Sequence, residues 1–507
     1  MNRIHSQASF SARLGVALLL TTAADFFLFD QPLGLSLFLF GGLLAAAIIW
    51  VHPMAFGDRA LVTKVGLAIA GLIPLLENVS GLSILIAILC LSIFALTISR
   101  RLQAGLLRVG RQVLVFLVAA PLRLPRDVFR WRRAAKRQGF ARIRLAVFAV
   151  WIMPIVLGSV FLFLFGVANP VIAYWMSLID FWALLDLLDI WRIMFWMLVV
   201  AGAWAFLRPR LPKFLRASKL RPAAPLPATD TRATAALEQI IFGRAAILRA
   251  LVLFNVLFAA QTILDGAYLW GGVQLPDGLT YASYAHRGAY PLIVTALLAA
   301  AFVLITMRPG SETSGDRLIR ALVYLWTAQN IVLVISSILR LDLYVSIYSL
   351  TYWRVAAFIW MGLVAIGLVL IMARIALGKS NEWLSAANLL TLSATLYACC
   401  FINFAAMIAA YNVAHSREMG GGGHNLDICY LRSLGPAALP AIDRLISEAG
   451  APDGNSAADL YRQRSILVAQ HQTQMANWRA WTFRKWRLSH YLSENPLPPA
   501  RLGSDRF

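Results

Sequence analysis

Residues 82–98 read LSILIAILCLSIFALTI, and residues 122–137 read LRLPRDVFRWRRAAKR. The first stretch carries no charge and approaches the roughly 20 apolar residues a helix needs to cross about 30 Å of hydrocarbon. The second is as strongly basic as the first is apolar. A bilayer accounts for both, dissolving one and holding the other at its anionic surface. The same alternation fills all 507 residues, which are 60% hydrophobic and 14% charged, with a mean hydropathy of +0.70. Soluble domains run near 45–50% apolar and about 25% charged, so an ordinary cytosolic enzyme is excluded.

The pattern predicts an all-α fold, a polytopic transmembrane helical bundle of about eleven spans, from the length rule above. They fall at 12–29, 33–52, 61–78, 82–98, 145–168, 190–207, 245–268, 289–307, 321–340, 355–377 and 383–410. A shorter stretch, 103–120, is interrupted by Arg108 and Arg111 and predicts an interfacial helix.

The net charge of +22 would point to nucleic acid in a soluble protein. Here its placement matters more than its size. Residues 99–144 hold thirteen Lys and Arg against Asp127 alone, and 208–221 hold six more. The alternate connections 30–32, 79–81 and 169–189 hold none, and 269–288 hold only Arg287. The positive-inside rule then puts the N-terminus in the cytoplasm and residues 411–507 outside. The partner expected for 122–144 is anionic lipid headgroups, not nucleic acid; one Trp and two Phe are too few for base stacking.

This divides the chain into four first spans (1–98), a basic cytoplasmic segment (99–144) and a pair of spans with an outer amphipathic stretch (145–207). A Pro- and Ala-rich linker (208–244), a five-span membrane domain (245–410) and a small helical periplasmic tail (411–507) follow. The N-terminus resembles a secretory signal, but Asp25, Asp30 and an immediate second span predict an uncleaved first span. Cys90, Cys399 and Cys400 lie in spans and Cys429 in the tail, a set that reads as free thiols.

Polar residues inside spans carry the functional signal, because charge at the bilayer centre costs about 2.5–3.5 kcal/mol on insertion scales. Gln329, Ser336 and Arg340 share one helical stripe, with Asn330 beside it. Gln261 and Asp265 lie one turn apart, and Asn388, Thr395, Cys399 and Asn403 form a third stripe. Glu77, Asp265, Arg287, Arg340, Asp342 and Arg354 all map to outer span ends. The preceding loop concentrates Tyr281, Tyr284, His286, Arg287 and Tyr290. The expected substrate-binding set is therefore His286, Arg287, Tyr290, Gln329, Asn330, Arg340, Arg354 and Asp265, with Asp342, Asp265 or Glu77 as the partner of Arg340. In the tail, helices are expected near 436–449 and 457–492 after a flexible break at MGGGGH (419–424). Trp478, Trp481 and Trp486, interleaved with Arg479, Arg484, Lys485 and Arg487, predict a helix resting on the outer leaflet or on the protein's own outer face. Four glycines separating His415 from His424 argue against a metal site, and ARIALGKS (373–380) lacks the first glycine of a phosphate loop. No cofactor is expected.

Seven motifs recur together: YASYAHRGAYPLIVTALL (281–298), LWTAQN (325–330), SSILRL (336–341), LTYWR (350–354), NEWL (381–384), YLRSLGPAALPA (430–441) and WRAWTF (478–483). Through them, residues 245–490 resemble a bacterial family of multi-pass inner-membrane proteins defined by a domain of unknown function. The resemblance implies an inner-membrane location and no established reaction. The leading expectation is an outer-leaflet pocket that binds or translocates an anionic lipid, glycan-lipid or small solute through Arg287, Arg340 and Arg354. The alternatives are a transferase on a lipid-linked substrate, with Asp265 or His286 as base, and a sensor or scaffold whose tail meets a periplasmic partner.

Overall fold

The computed structural model describes residues 2–52, 60–103, 105–137, 145–169, 189–210, 243–267, 294–295, 298, 301–302, 316–421, 425–448 and 454–496. Among them the regular structure is entirely helical. The helices are α1 (Asn2–Leu28), α2 (Leu35–Val51), α3 (Leu61–Glu77), α4 (Gly81–Ile98), α5 (Leu106–Ala119), α6 (Arg123–Arg137), α7 (Leu145–Ala168) and α8 (Ile190–Leu207). Then come α9 (Arg244–Asp265), α10 (Arg317–Tyr348), α11 (Tyr352–Ala376), α12 (Asn381–Cys399) and α13 (Phe404–Ala414). The tail adds α14 (Ile428–Ser433), α15 (Leu439–Glu448), α16 (Gly454–Met475) and α17 (Phe483–Glu494).

Six helices among the described residues are long and apolar enough to cross a membrane: Phe10–Leu28 of α1, then α4, α8, α9, α10 and α11. The bent pair α12–α13 makes a seventh if it is one span. The chain is a multi-pass membrane protein. Its helix surfaces agree, since Trp151, Phe163 and Val167 of α7 are more than half exposed, a surface suited to lipid rather than water. Of the other expected spans, 33–52 and 61–78 form helices of 17 residues, α2 and α3. Residues 289–307 lie almost wholly outside the described residues. The expected rod at 383–410 is instead broken, with a 71° bend between α12 and α13. The interrupted stretch at 103–120 forms α5, whose 14 residues extend about 21 Å, short of the bilayer core.

The chain divides into two compact units. The first holds Met1–Ile73, Ala87–Gln103 and Val109–Arg216, and the second Pro74–Ile86, Ala104–Arg108 and Ala217–Phe507. In the first, α1 packs on α2 and α8, and α8 also packs on α6. Asp127, the lone acid of the basic segment, is buried and gathers Trp204 Nε1 at 3.3 Å, Arg210 at 3.1 Å and Arg208 at 3.1 Å. Beside it, Arg123 lies 4.1 Å over the Phe116 ring and donates to the carbonyls of Phe116 and Ala205. Burial pulls the Arg123 guanidinium down to about 10, against the opposing charge of Asp127. Arg126, Phe129, Arg130 and Trp131 stay exposed on α6.

In the second unit α9 and α10 run parallel, joined by polar links in matching order. Arg244 pairs with Asp316 at the start, Asn255 Nδ2 donates to Leu322 O at 3.2 Å, and Asp265 meets Ser336 and Arg340 at the far end. At 1.5 Å per residue the terminal links are roughly 30 Å apart, about one bilayer core. Asp316 also caps α10, accepting from Leu318 N and Ile319 N. The tail helices share one apolar core with α13, built around Ile408, Leu431, Leu439, Ile442, Leu445 and Leu467. The expected helix at 457–492 is two helices, separated by a short 3-10 turn at Trp478–Ala480. The glycine run opens on a tight turn, in which Gly420 takes φ 76° and Gly421 N donates to Ser416 O, and the rest of it, 422–424, lies outside the described residues.

Candidate functional site

The stripe on α10 meets α9 through Asp265. Its Oδ2 accepts from Ser336 Oγ at 2.8 Å, while Oδ1 accepts from Gln261 Nε2 at 2.8 Å and from the Arg340 guanidinium. Of the carboxylates within reach in the sequence, the partner of Arg340 is therefore Asp265. Both side chains are 3% exposed. A buried pair of this kind holds only when further hydrogen bonds support it, and Ser336 and Gln261 supply them to the carboxylate. Among the described residues, the donors Ser336, Gln261 and Arg340 converge on the Asp265 carboxylate.

Arg354 is likewise engaged locally. It donates to the carbonyls of Tyr348 and Ser349 at the end of α10 and stacks 4.6 Å over the Tyr344 ring. The turn it holds contains Ser349 at φ 69°, a left-handed value unusual outside glycine. Asn412 secures the same turn through both amide groups of Leu350. Asn330 Nδ2 donates to Trp326 O, while Asn330 Oδ1 and Gln329 Oε1 are buried with no partner among the described residues. His286, Arg287 and Tyr290 lie outside the described residues.

A second constellation forms at the α12–α13 break. Asn403 opens α13 by accepting from Ala406 N, which leaves the carbonyls of Cys400 and Ile402 outside the helical ladder. Carbonyls freed from a helix need other donors. Arg484 of α17 donates to both, at 3.3 and 3.2 Å. Its Nε also meets Glu77 at 3.3 Å, and Arg487 pairs with the same carboxylate. The tail helix therefore docks on the protein's own residues, with Trp478, Phe483 and Trp486 left exposed.

These residues border a cavity of about 620 Å³, lined also by Asn78, Ser80, His471, Gln474 and Lys485. Its charge is lopsided. Glu77 serves two guanidinium groups, and Lys485 Nζ donates to Ala480 O at 3.0 Å without meeting a carboxylate among the described residues. Burial lowers the Lys485 ammonium from its ordinary range. Burial, and then the charge of Lys485, also lower His471 from its ordinary range. Next to the cavity lies a mostly apolar crevice of about 480 Å³ between α10, α11, α12 and α13, lined by Val345, Phe358, Ile359 and Met407 and by the carboxylate of Asp342. The two voids share Cys399, Ile402 and Phe404 as lining.

A family model described as a domain of unknown function, DUF4153, matches residues 14–445. The chain belongs to the DUF4153 family. No curated protein and no solved structure matches it. The DUF4153 match begins in α1, well before the 245–490 region where the motifs are legible. It ends in α15, so Glu77, Asn78 and Asn403 fall inside it and His471, Arg484, Lys485 and Arg487 beyond it. Sequence reasoning placed the tail cations at a surface and Asn403 in a polar stripe. It missed His471 altogether, since a lone histidine in a polar helix sends no signal.

Proposed function

We propose that this DUF4153 protein sits in the bacterial inner membrane, with its N-terminus cytoplasmic and α14–α17 periplasmic, and binds an anionic amphiphile at the α12–α13 break. The supporting observation is the pairing of a cavity with excess positive charge and an apolar crevice that shares its wall. A headgroup phosphate or carboxylate would meet Lys485, Arg484 and Arg487, and an acyl or prenyl chain would fill the crevice. Irregular backbone at membrane depth is tolerated where it lines such a cavity, and broken helices recur at transporter binding sites. Arg340 and Arg354 then serve as scaffold around the crevice. The basic face of α6, with exposed Phe129 and Trp131, suits the anionic inner leaflet.

Native mass spectrometry of the full-length protein in mild detergent tests the reading. An anionic lipid should remain bound, and Lys485→Gln combined with Arg487→Gln should reduce its retention about tenfold, as loss of a charge-assisted contact predicts. Equal retention of neutral lipids would overturn it. Orientation has its own check: an export-dependent reporter should be active after Phe507 and silent at Gly139.

A further inference from the structure

We infer that the first compact unit holds an anion site of its own, arranged around Asp127 of α6, which takes the headgroup of a lipid bearing two phosphates. It stands whether or not the α12–α13 break binds an amphiphile. Asp127 is buried, and both of its oxygens are taken: Oδ2 by Trp204 Nε1 at 3.3 Å and Arg208 at 3.1 Å, and Oδ1 by Arg210 at 3.1 Å. Arg208 and Arg210 each spend one nitrogen, Nη1, on this carboxylate. A guanidinium has several more N–H donors, and among the described residues they meet no other acceptor. The two side chains are 24% and 38% exposed, so those donors remain within reach of a ligand. Arg123, Asp127 and Arg130 share one stripe of α6, and Arg130 is exposed. The charge of Arg130 acts on Arg208, and Arg13 at the start of α1 acts on Arg210 and Asp127.

One arginine would suffice to neutralise Asp127 and join α6 to α8. Arg123 also holds the Phe116 ring and two carbonyls. Arg13, Arg130 and the second of Arg208 and Arg210 add repulsion until an anion arrives. That crowding is felt at Arg208, which burial first, and then the charge of Arg210, lower from its ordinary range against the pull of Asp127. Five arginines on one carboxylate leave four positive charges in excess. A single phosphodiester offsets one of them, whereas a headgroup with two phosphates offsets two and offers oxygens to more than one guanidinium fork. The surroundings favour a lipid over a soluble diphosphate. Phe10 of α1 stacks on Trp131 at 5.3 Å and meets Trp204 edge-on at 5.0 Å, fixing α6 against α1 and α8. Leu122, Phe129 and Trp131 nevertheless stay exposed beside the cations. Acyl chains cover such side chains, and a soluble anion would leave them in water. Under the orientation proposed above this end of α8 faces the cytoplasm, where basic pockets between helices suit lipid phosphates.

The test titrates full-length protein in mild detergent with cardiolipin, phosphatidylglycerol and free pyrophosphate, read by native mass spectrometry. Cardiolipin should bind about fivefold tighter than phosphatidylglycerol, the worth of one further charge at a basic surface. Pyrophosphate, which has no chains, should bind at least about tenfold more weakly than cardiolipin. Arg208→Gln combined with Arg210→Gln should weaken cardiolipin by about tenfold or more. Because that double change also strips Asp127 of both partners, a second variant guards against misfolding. Arg130→Gln, at an exposed position, should weaken cardiolipin about fivefold while the melting temperature stays the same. Cardiolipin no tighter than phosphatidylglycerol would overturn the two-phosphate headgroup. Pyrophosphate as tight as cardiolipin would overturn the assignment to a lipid. Unchanged cardiolipin affinity in both arginine variants would overturn the site itself. If Lys485→Gln with Arg487→Gln then abolished that binding, the lipid would belong to the α12–α13 break instead.

Discussion

The second unit contains two acid–arginine clusters that resolve the same problem in opposite ways. At Asp265 one carboxylate meets one guanidinium, and Ser336 and Gln261 complete its hydrogen bonds with both ions 3% exposed. At Glu77 one carboxylate is shared by Arg484 and Arg487, with Lys485 close by and a cavity opening beside them. The first cluster, as far as the described residues show it, is a buried one-to-one pair that links α9 to α10. The second is open and positive, so it can still attract an anion. Intramembrane arginine is therefore a poor guide to a binding site until its partner is known.

The largest expected effect comes from opening the closed cluster. Asp265→Asn leaves Arg340 buried without its counter-ion, which should destabilise the protein by about 3–5 kcal/mol. Thermal unfolding in detergent reads this, and replacing the pair together with Asp265→Leu and Arg340→Met should recover most of the loss. An unchanged melting temperature for Asp265→Asn would show the pair is not the joint between α9 and α10.

A smaller, opposite-natured effect is expected at the open cluster. Arg484 and Arg487 are 17% and 51% exposed, so Glu77→Gln should cost only about 1 kcal/mol in stability. The same change removes the internal competitor for both arginines, so anionic-lipid affinity should rise severalfold in the titration above. A fall in affinity would mean Glu77 orients the cations more than it neutralises them.

The smallest effect concerns acidity. His471 titrates below its ordinary 6.5 in the folded tail, because burial and Lys485 disfavour its charged form. Between the folded and unfolded values the unfolded chain holds more protons, so this contribution is complete above about pH 6.5 and is lost as pH falls through the folded value. Melting temperature against pH should show a modest acid decline that His471→Phe removes. A decline of equal size in that variant would assign it to other groups.

Much of the frame was legible in the residues. Hydropathy located six helices of spanning length at the expected positions, and Asp316, Ser380, Asn403 and Thr482 cap helices as their residue types predict. Asn403 even marks the break, although the hydrophobic run 383–410 hides it, because a hydropathy window averages over the few residues where a helix turns. The polar stripe on α10 was legible as well. Which residue neutralises Arg340 was not, since Asp342, two positions away, is nearer in sequence than Asp265 across a helix interface.

The sequence by itself determined that this chain is a helical membrane protein, because apolar runs of spanning length have no other stable solvent. Capping at Asp316 and Ser380 is likewise local chemistry between residues two or three apart, whereas the starts at Asn403 and Thr482 are hidden inside longer helical patterns. Tertiary structure decided which charges cancel. Arg484 and Glu77 are separated by 407 positions, and their meeting depends on how α17 lies against the ends of α3 and α13. Local pattern carries no term for such a distance, so the open, positive site could emerge only from packing.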